Sequence, residues 1–174
     1  MAAKPAAKKQ KTAEPTMIKY YKRCTHTTGT LVDELSASLS ATAAAKLLTL
    51  EQEVCFNVGL RSGCTLTAKE EESLRWLLAE TFEPELTGAT TFLTGPGALL
   101  EVGPRLAFCT AWSSNAVSIC AACGLGQIDR VECSRRYLVA TEPQLDAAGL
   151  AAHANVIHDR HTQCCPTPAH STVV

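Results

Sequence analysis

Between Met17 and about residue 160 the chain spells the order strand, helix, strand, helix twice, and this repeat constrains the fold more than any other feature. Met17-Ile18-Lys19-Tyr20-Tyr21 has the aromatic and β-branched content of a strand. A helical pattern follows over residues 31–48, and an extended run over 51–60. Thr67 then stands as an N-cap with Glu70 three residues on, a capping box, and Leu74, Leu77, Leu78 and Phe82 recur at helical spacing until Pro84 ends the helix. Residues 90–93 read as extended and Gly95-Pro96-Gly97 as a turn. The second pass runs through a strand at 99–102, a helix at 113–123, a long strand at 128–139 and a helix over 143–160. Tandem units of this kind predict an α+β domain, an antiparallel sheet with its helices gathered on one side, related to ferredoxin-like folds.

A length of 174 residues suits one core, or two small units sharing one. Residues 1–16 carry Lys4, Lys8, Lys9 and Lys11 and, after Met1, no apolar side chain larger than alanine except proline, so they read as a disordered basic tail. Residues 17–163 are the expected domain, and 164–174, with no packing logic, a second disordered tail. Sixteen Lys and Arg against seventeen Asp and Glu leave a net charge of -1, so no global field favours nucleic acid or an anionic membrane as a partner. No apolar run reaches the roughly 18 residues of a membrane span, and the N-terminus lacks the apolar stretch of a secretory signal. The expected location is cytoplasmic, with the plastid as the alternative that a basic tail allows. Nine cysteines, an odd number, exclude a fully paired intramolecular framework and point to packed thiols, with Cys55 and Cys109 beside apolar neighbours as the examples.

Cys120-Ala-Ala-Cys123 could be half of a zinc site or a redox pair. Ala116, Ile119, Cys120 and Cys123 nevertheless fall at i, i+3, i+4 and i+7, which places both sulfurs on the apolar stripe of a helix that Gly124 terminates. Core packing is the favoured reading, and the expectation for metal is none, because Cys164-Cys165 with His158 and His161 is the only other cluster. Trp112-Ser113-Ser114-Asn115 opens the same helix; Ser113 serves as cap, with Trp112 stapled on Val117, or the free amides there receive a phosphate. Gly103-Pro104 ends the preceding strand and leaves Arg105 at an element end, fit for a surface ion pair or an anion. Arg130, Arg135 and Arg136 flank the long strand and suit an interface, and alternation puts Val131, Cys133, Tyr137 and Val139 on the face shared with Arg135. His158-Asp159-Arg160 cannot act as a relay within one helix, since neighbours there do not face each other, and suits interdomain hydrogen bonding. The sequence has no Walker-type loop, no dinucleotide fingerprint and no GxSxG elbow, so no catalytic residue is assigned.

The string LLEVGPRLAFCTAWSSNAVSICAACGLGQIDRVECSRRY, starting at Leu99, resembles the N-terminal domain of the long, single-chain formylglycinamidine ribonucleotide synthases. The EVGPR strand, the tryptophan-serine-serine segment, the cysteine-glycine-leucine helix end and the arginine-rich strand keep that family's order and spacing, and His158-Asp159-Arg160 matches its histidine-aspartate-arginine element. The resemblance covers roughly residues 17–163. After Arg160 the chain departs from the family with His161-Thr162-Gln163, and the end has the look of a truncated gene model.

The resemblance implies tandem PurS-like half-units related by a pseudo-twofold axis. It implies an assembly role in a purine-biosynthetic ligase whose synthetase domain binds ATP, magnesium and formylglycinamide ribonucleotide and whose glutaminase domain releases ammonia. Those domains are the implied partners, and the expected cofactors are none in this chain, with ATP and magnesium in the parent enzyme. Arg105, Ser113, Ser114, Asn115, His158 and Arg160 match family motifs and become substrate-side or interdomain candidates. Two rival readings remain: a stand-alone ferredoxin-like module binding a ligand at its pseudo-dimer groove, and a zinc or redox protein built on Cys120 and Cys123.

Overall fold

A computed structural model describes residues 16–25, 27, 29–79, 84–105, 109–157 and 163–164. Strand β1 (Met17–Arg23) leads to α1 (Gly29–Thr42), β2 (Lys46–Leu60), α2 (Ala68–Ala79) and the two-residue β3 (Thr87–Gly88). The second half gives β4 (Ala98–Pro104), α3 (Ala111–Ala122), β5 (Ile128–Glu142), α4 (Ala147–Ala151) and the short β6 (Gln163–Cys164). The sheet order β3-β1-β2-β5-β4-β6 reads as the same order in both halves, outward from the middle, with every pairing antiparallel. That is the arrangement expected of two half-units about a pseudo-twofold axis, and it bears out the α+β expectation.

The middle of the sheet is the ladder between β2 and β5, fifteen residues each, in which Val54 lies opposite Arg135 and Glu53 opposite Arg136. At about 3.3 Å per residue each strand is roughly 50 Å long, enough to floor two separate cores. One core joins Tyr20, Phe56, Val58, Leu60, Ile128 and Val131 to Leu74 and Leu78 of α2 and Cys120 of α3. The other joins Leu100, Val102, Tyr137 and Val139 to Leu35 and Leu39 of α1 and Leu150 of α4. Each half therefore lends its first helix to the other half's core. The alternation of β2 and β5 places both cores on one face of the sheet, so all four helices sit on that side. Ser38 of α1 and buried His153 behind α4 meet at 2.9 Å, a polar tie between the halves inside the second core.

Three local expectations need correction. The helix read over 31–48 stops at Thr42, because Ala44 takes φ 48, a left-handed conformation that no glycine announces, and β2 then starts at Lys46, five residues before the run read from the sequence. In the described part of the helix read over 143–160, up to residue 157, only α4 is α-helical, capped by Asp146, whose side chain accepts from the Gly149 amide at 2.7 Å, with a 3-10 turn at Ala154–Val156. Residues 90–93 form bends rather than a strand. The capping box is as read: the Thr67 amide and hydroxyl donate to the Glu70 carboxylate at 2.7 and 2.8 Å, and this amide contact holds Glu70 below the usual carboxylate range.

The Gly95-Pro96-Gly97 turn has a specific steric requirement. Gly97 has φ +154, and a Cβ there would come within 2.9 Å of the Val139 carbonyl oxygen of β5. The backbone of a central strand cannot move aside as a side chain tip can. Gly97→Ala is expected to cost about 2 kcal/mol, read as a lower urea midpoint at an unchanged slope.

Candidate functional site

The start of α3 is anchored to β5 from two directions. Thr110 is the N-cap, accepting from the Ser113 amide at 3.0 Å. Glu132 of β5 in turn accepts from the Thr110 amide at 3.2 Å and from its hydroxyl at 2.9 Å, while Arg130 donates to the same carboxylate at 3.2 Å. Ser113 is fully buried, and its Oγ accepts from the Val131 amide at 3.3 Å. The cap is thus Thr110 rather than Ser113, and Trp112 lies inside the helix, stacked on Phe56 with ring centroids 6.2 Å apart rather than stapled on Val117. A buried carboxylate already sits at the positive end of this helix, so the Glu132 charge takes the place a phosphate would need.

The other sequence candidates separate. Ser114 and Asn115 are exposed on the outer side of α3, and Arg105 is exposed just past the end of β4, so these three face outward while Ser113 holds the helix to the sheet. His158, Asp159 and Arg160 lie outside the described residues. Arg135 shares its face with Val131, Cys133, Tyr137 and Val139 as alternation required, but it is exposed, because it lies between the two cores where neither helix pair covers it. Burial raises the Tyr137 phenol, and the neighbouring Arg135 guanidinium opposes that rise without cancelling it.

The thiols divide against the expected pattern. Cys120 is in the core, but Cys123 is exposed and Ile119 is 54 % exposed, so the second sulfur and its neighbour leave the apolar stripe assigned to them. Cys109 is exposed as well. Cys55 is buried, and burial pushes its thiol up to about 12, which favours the protonated form at neutral pH. Among the described residues no group of three His, Cys, Asp or Glu side chains gathers in a way that could hold a metal ion.

On the helix-free face of the sheet lies a charge network built on Glu53, which the sequence reading did not single out, and on Arg136, expected at an interface but only 12 % exposed and paired within the chain. Glu53, fully buried, accepts from Arg136 at 2.5 Å, from the Thr91 hydroxyl at 2.7 Å and from the Phe92 amide at 2.8 Å. The Arg136 guanidinium stands 4.8 Å from the Tyr21 ring centroid. One register step away Glu101 accepts from Ser134 at 2.7 Å and from Lys19 at 3.3 Å, and Asn57 donates to Ser134 at 2.9 Å. This face closes its charges on one another and fastens the 90–93 bend across the sheet. The available signal was a glutamate at the centre of a long β run, a position that demands a partner when buried.

The chain resembles known proteins over most of its length. Residues 53–172 match the family described as formylglycinamide ribonucleotide amidotransferase N-terminal. The chain is 41 % identical over 140 residues to a probable phosphoribosylformylglycinamidine synthase, chloroplastic/mitochondrial, of Arabidopsis thaliana, a stretch that covers 77 % of the chain and 10 % of that relative. Against the phosphoribosylformylglycinamidine synthase of Dictyostelium discoideum it is 44 % identical over 130 residues, 70 % of the chain and 10 % of the relative. Against the Homo sapiens enzyme of that name it is 38 % identical over 117 residues, 66 % and 9 %. The chain thus spans about a tenth of the length of these relatives. With that match across most of its described sheet and helices, the chain belongs to the formylglycinamide ribonucleotide amidotransferase N-terminal family.

Proposed function

We propose that this chain is the N-terminal assembly domain of a phosphoribosylformylglycinamidine synthase, the ligase that converts formylglycinamide ribonucleotide, ATP, glutamine and water into the formylglycinamidine, ADP, phosphate and glutamate. The observation that carries the reading is the 41 to 44 % identity to synthases named for that reaction, confined to about a tenth of their length. In this reading the synthetase and glutaminase domains are the partners, and ATP and magnesium belong to the synthetase rather than to residues of this chain. Ser113 is a structural anchor of α3, and Arg105, Ser114 and Asn115 are positioned for contact with those domains. His158 and Arg160 are interdomain or substrate-side candidates on their motif match. Catalysis lies with the partner domains, and this chain alone forms no product. The proposed location is cytoplasmic; the Arabidopsis relative, named chloroplastic/mitochondrial, supports a plastid alternative, while no helix among the described residues is long and apolar enough to cross a membrane.

The test is a graft in which this chain replaces the matching tenth of the Dictyostelium relative. Glutamine-dependent formation of the formylglycinamidine is expected within roughly tenfold of the parent, a change of about 1.4 kcal/mol in barrier, whereas deletion of the segment abolishes it. An inactive graft whose deleted counterpart retains full activity would show that the segment does not perform this role.

A further inference from the structure

Helix α3 and the cysteine that caps it run Ala111-Trp-Ser-Ser-Asn-Ala-Val-Ser-Ile-Cys-Ala-Ala-Cys123 without one charged side chain, yet only Ser113 and Cys120 of the helix are buried. A helix that borders water ordinarily marks its outer face with charges, and one that is apolar all round is ordinarily covered. Here one flank carries Ile119 at 54 % exposure and Trp112 at 45 %, the other side of its ring stacked on Phe56, with exposed Ala122 and Cys123 alongside and exposed Ser118 and Ala121 round the far side. Small side chains of this kind let another element approach to the short end of the 8–10 Å range of helix packing. The surface continues onto α2, where Trp76 is 68 % exposed beside a groove of about 400 Å³ lined by Lys69, Glu72, Ser73, Leu77 and Cys123. Exposed tryptophans over a charge-depleted centre, with Lys69 and Glu72 at the margin, are the composition of a protein interface rather than of a solvated face.

We propose that the outer face of α3 together with Trp76 of α2 is the surface on which the remaining polypeptide of the ligase packs. This rests on the assembly role proposed above and assigns it a location. The helix-free face of the sheet is a poorer site for such a contact, because Lys19, Glu101, Arg136 and Glu53 are already paired there. A second copy of the chain is the rival occupant. In the relatives the matching segment makes up only about a tenth of one polypeptide, so the rest is tethered to it at an effective concentration of order millimolar. A second copy has no such advantage. Apolar surface on the remainder of the ligase, with an aromatic or aliphatic side chain to fill the groove beside Trp76, is the matching chemistry.

Cys123 is a built-in reporter. Its alkylation by iodoacetamide, read by peptide mass spectrometry, is compared between the isolated chain and the Dictyostelium graft. The expected result is slowing by roughly tenfold or more in the graft, about 1.4 kcal/mol per decade, reversed by Ile119→Arg, a change at an exposed position that leaves both cores intact. Equal rates in an active graft, or slowing that Ile119→Arg does not reverse, would overturn the surface while leaving the assembly role standing. Slowing in the isolated chain that grows with its concentration would assign the face to a second copy. A wild-type graft that folds but makes no product, with Cys123 as reactive as in the isolated chain, would remove both ideas together.

Discussion

Glu53→Ala is expected to destabilise the chain by about 3 to 5 kcal/mol, the cost of leaving one member of a buried ion pair alone. The Arg136 side chain is 12 % exposed and that of Glu53 is fully buried, so solvent cannot take over the lost partner. The substitution also strips the Thr91 hydroxyl and the Phe92 amide of their acceptor, and an unmade buried hydrogen bond costs about 1 to 3 kcal/mol by itself. Urea unfolding of the isolated chain measures the total, and hydrogen exchange at the Phe92 amide separates its parts. That amide should exchange faster even under conditions where the sheet stays intact. Glu53→Met combined with Arg136→Met is expected to lose less than the sum of the two single changes, because no lone charge remains. A cost for Glu53→Ala below about 1 kcal/mol, the range of exposed pairs, would mean that water reaches this face of the sheet.

Leu39→Ala should cost about 2 to 5 kcal/mol, the range for deleting a fully buried leucine side chain. The more telling result lies in the shape of the transition. Leu39 belongs to α1 of the first half but packs in the core built on β4, β5 and α4 of the second. If the halves were independent units, the loss would fall on one of two transitions. Because β2 and β5 run under both cores, a single transition is expected, with near-ultraviolet dichroism and tryptophan emission following one curve. Leu74→Ala, in the other core, should shift that same transition by a comparable amount. Two resolved transitions would show that exchanging first helices does not couple the halves.

Elements whose signals are local were legible from the order of residues alone. Thr67 and Glu70 define the start of α2 because a capping box needs only four consecutive residues. The two-residue period of a strand assigned the faces of β5, with Val131, Cys133, Tyr137 and Val139 on the side of the helices, since a pleated strand offers only two. The order of elements, written twice, gave the α+β architecture, and the motifs from Leu99 to Tyr137 gave the family. Tertiary structure decided where local signals are silent or degenerate. Ala44 turns the chain with a left-handed φ that its side chain does not encode, so the strand beginning at Lys46 looked like the end of a helix. The rotation of α3 was ambiguous for a physical reason. With no charge to mark the solvent side, a stripe through Ala116, Ile119, Cys120 and Cys123 was as good as the one through Ser113, Ala116, Val117 and Cys120 that packs on the sheet. Only the approach of β5, whose Val131 amide and Glu132 carboxylate hold Ser113 and Thr110, selects between them. The pairing of Glu53 with Arg136, 83 positions apart, was hidden for the same reason. A charge in a strand records that a partner is needed, and only the register of β2 on β5 supplies it.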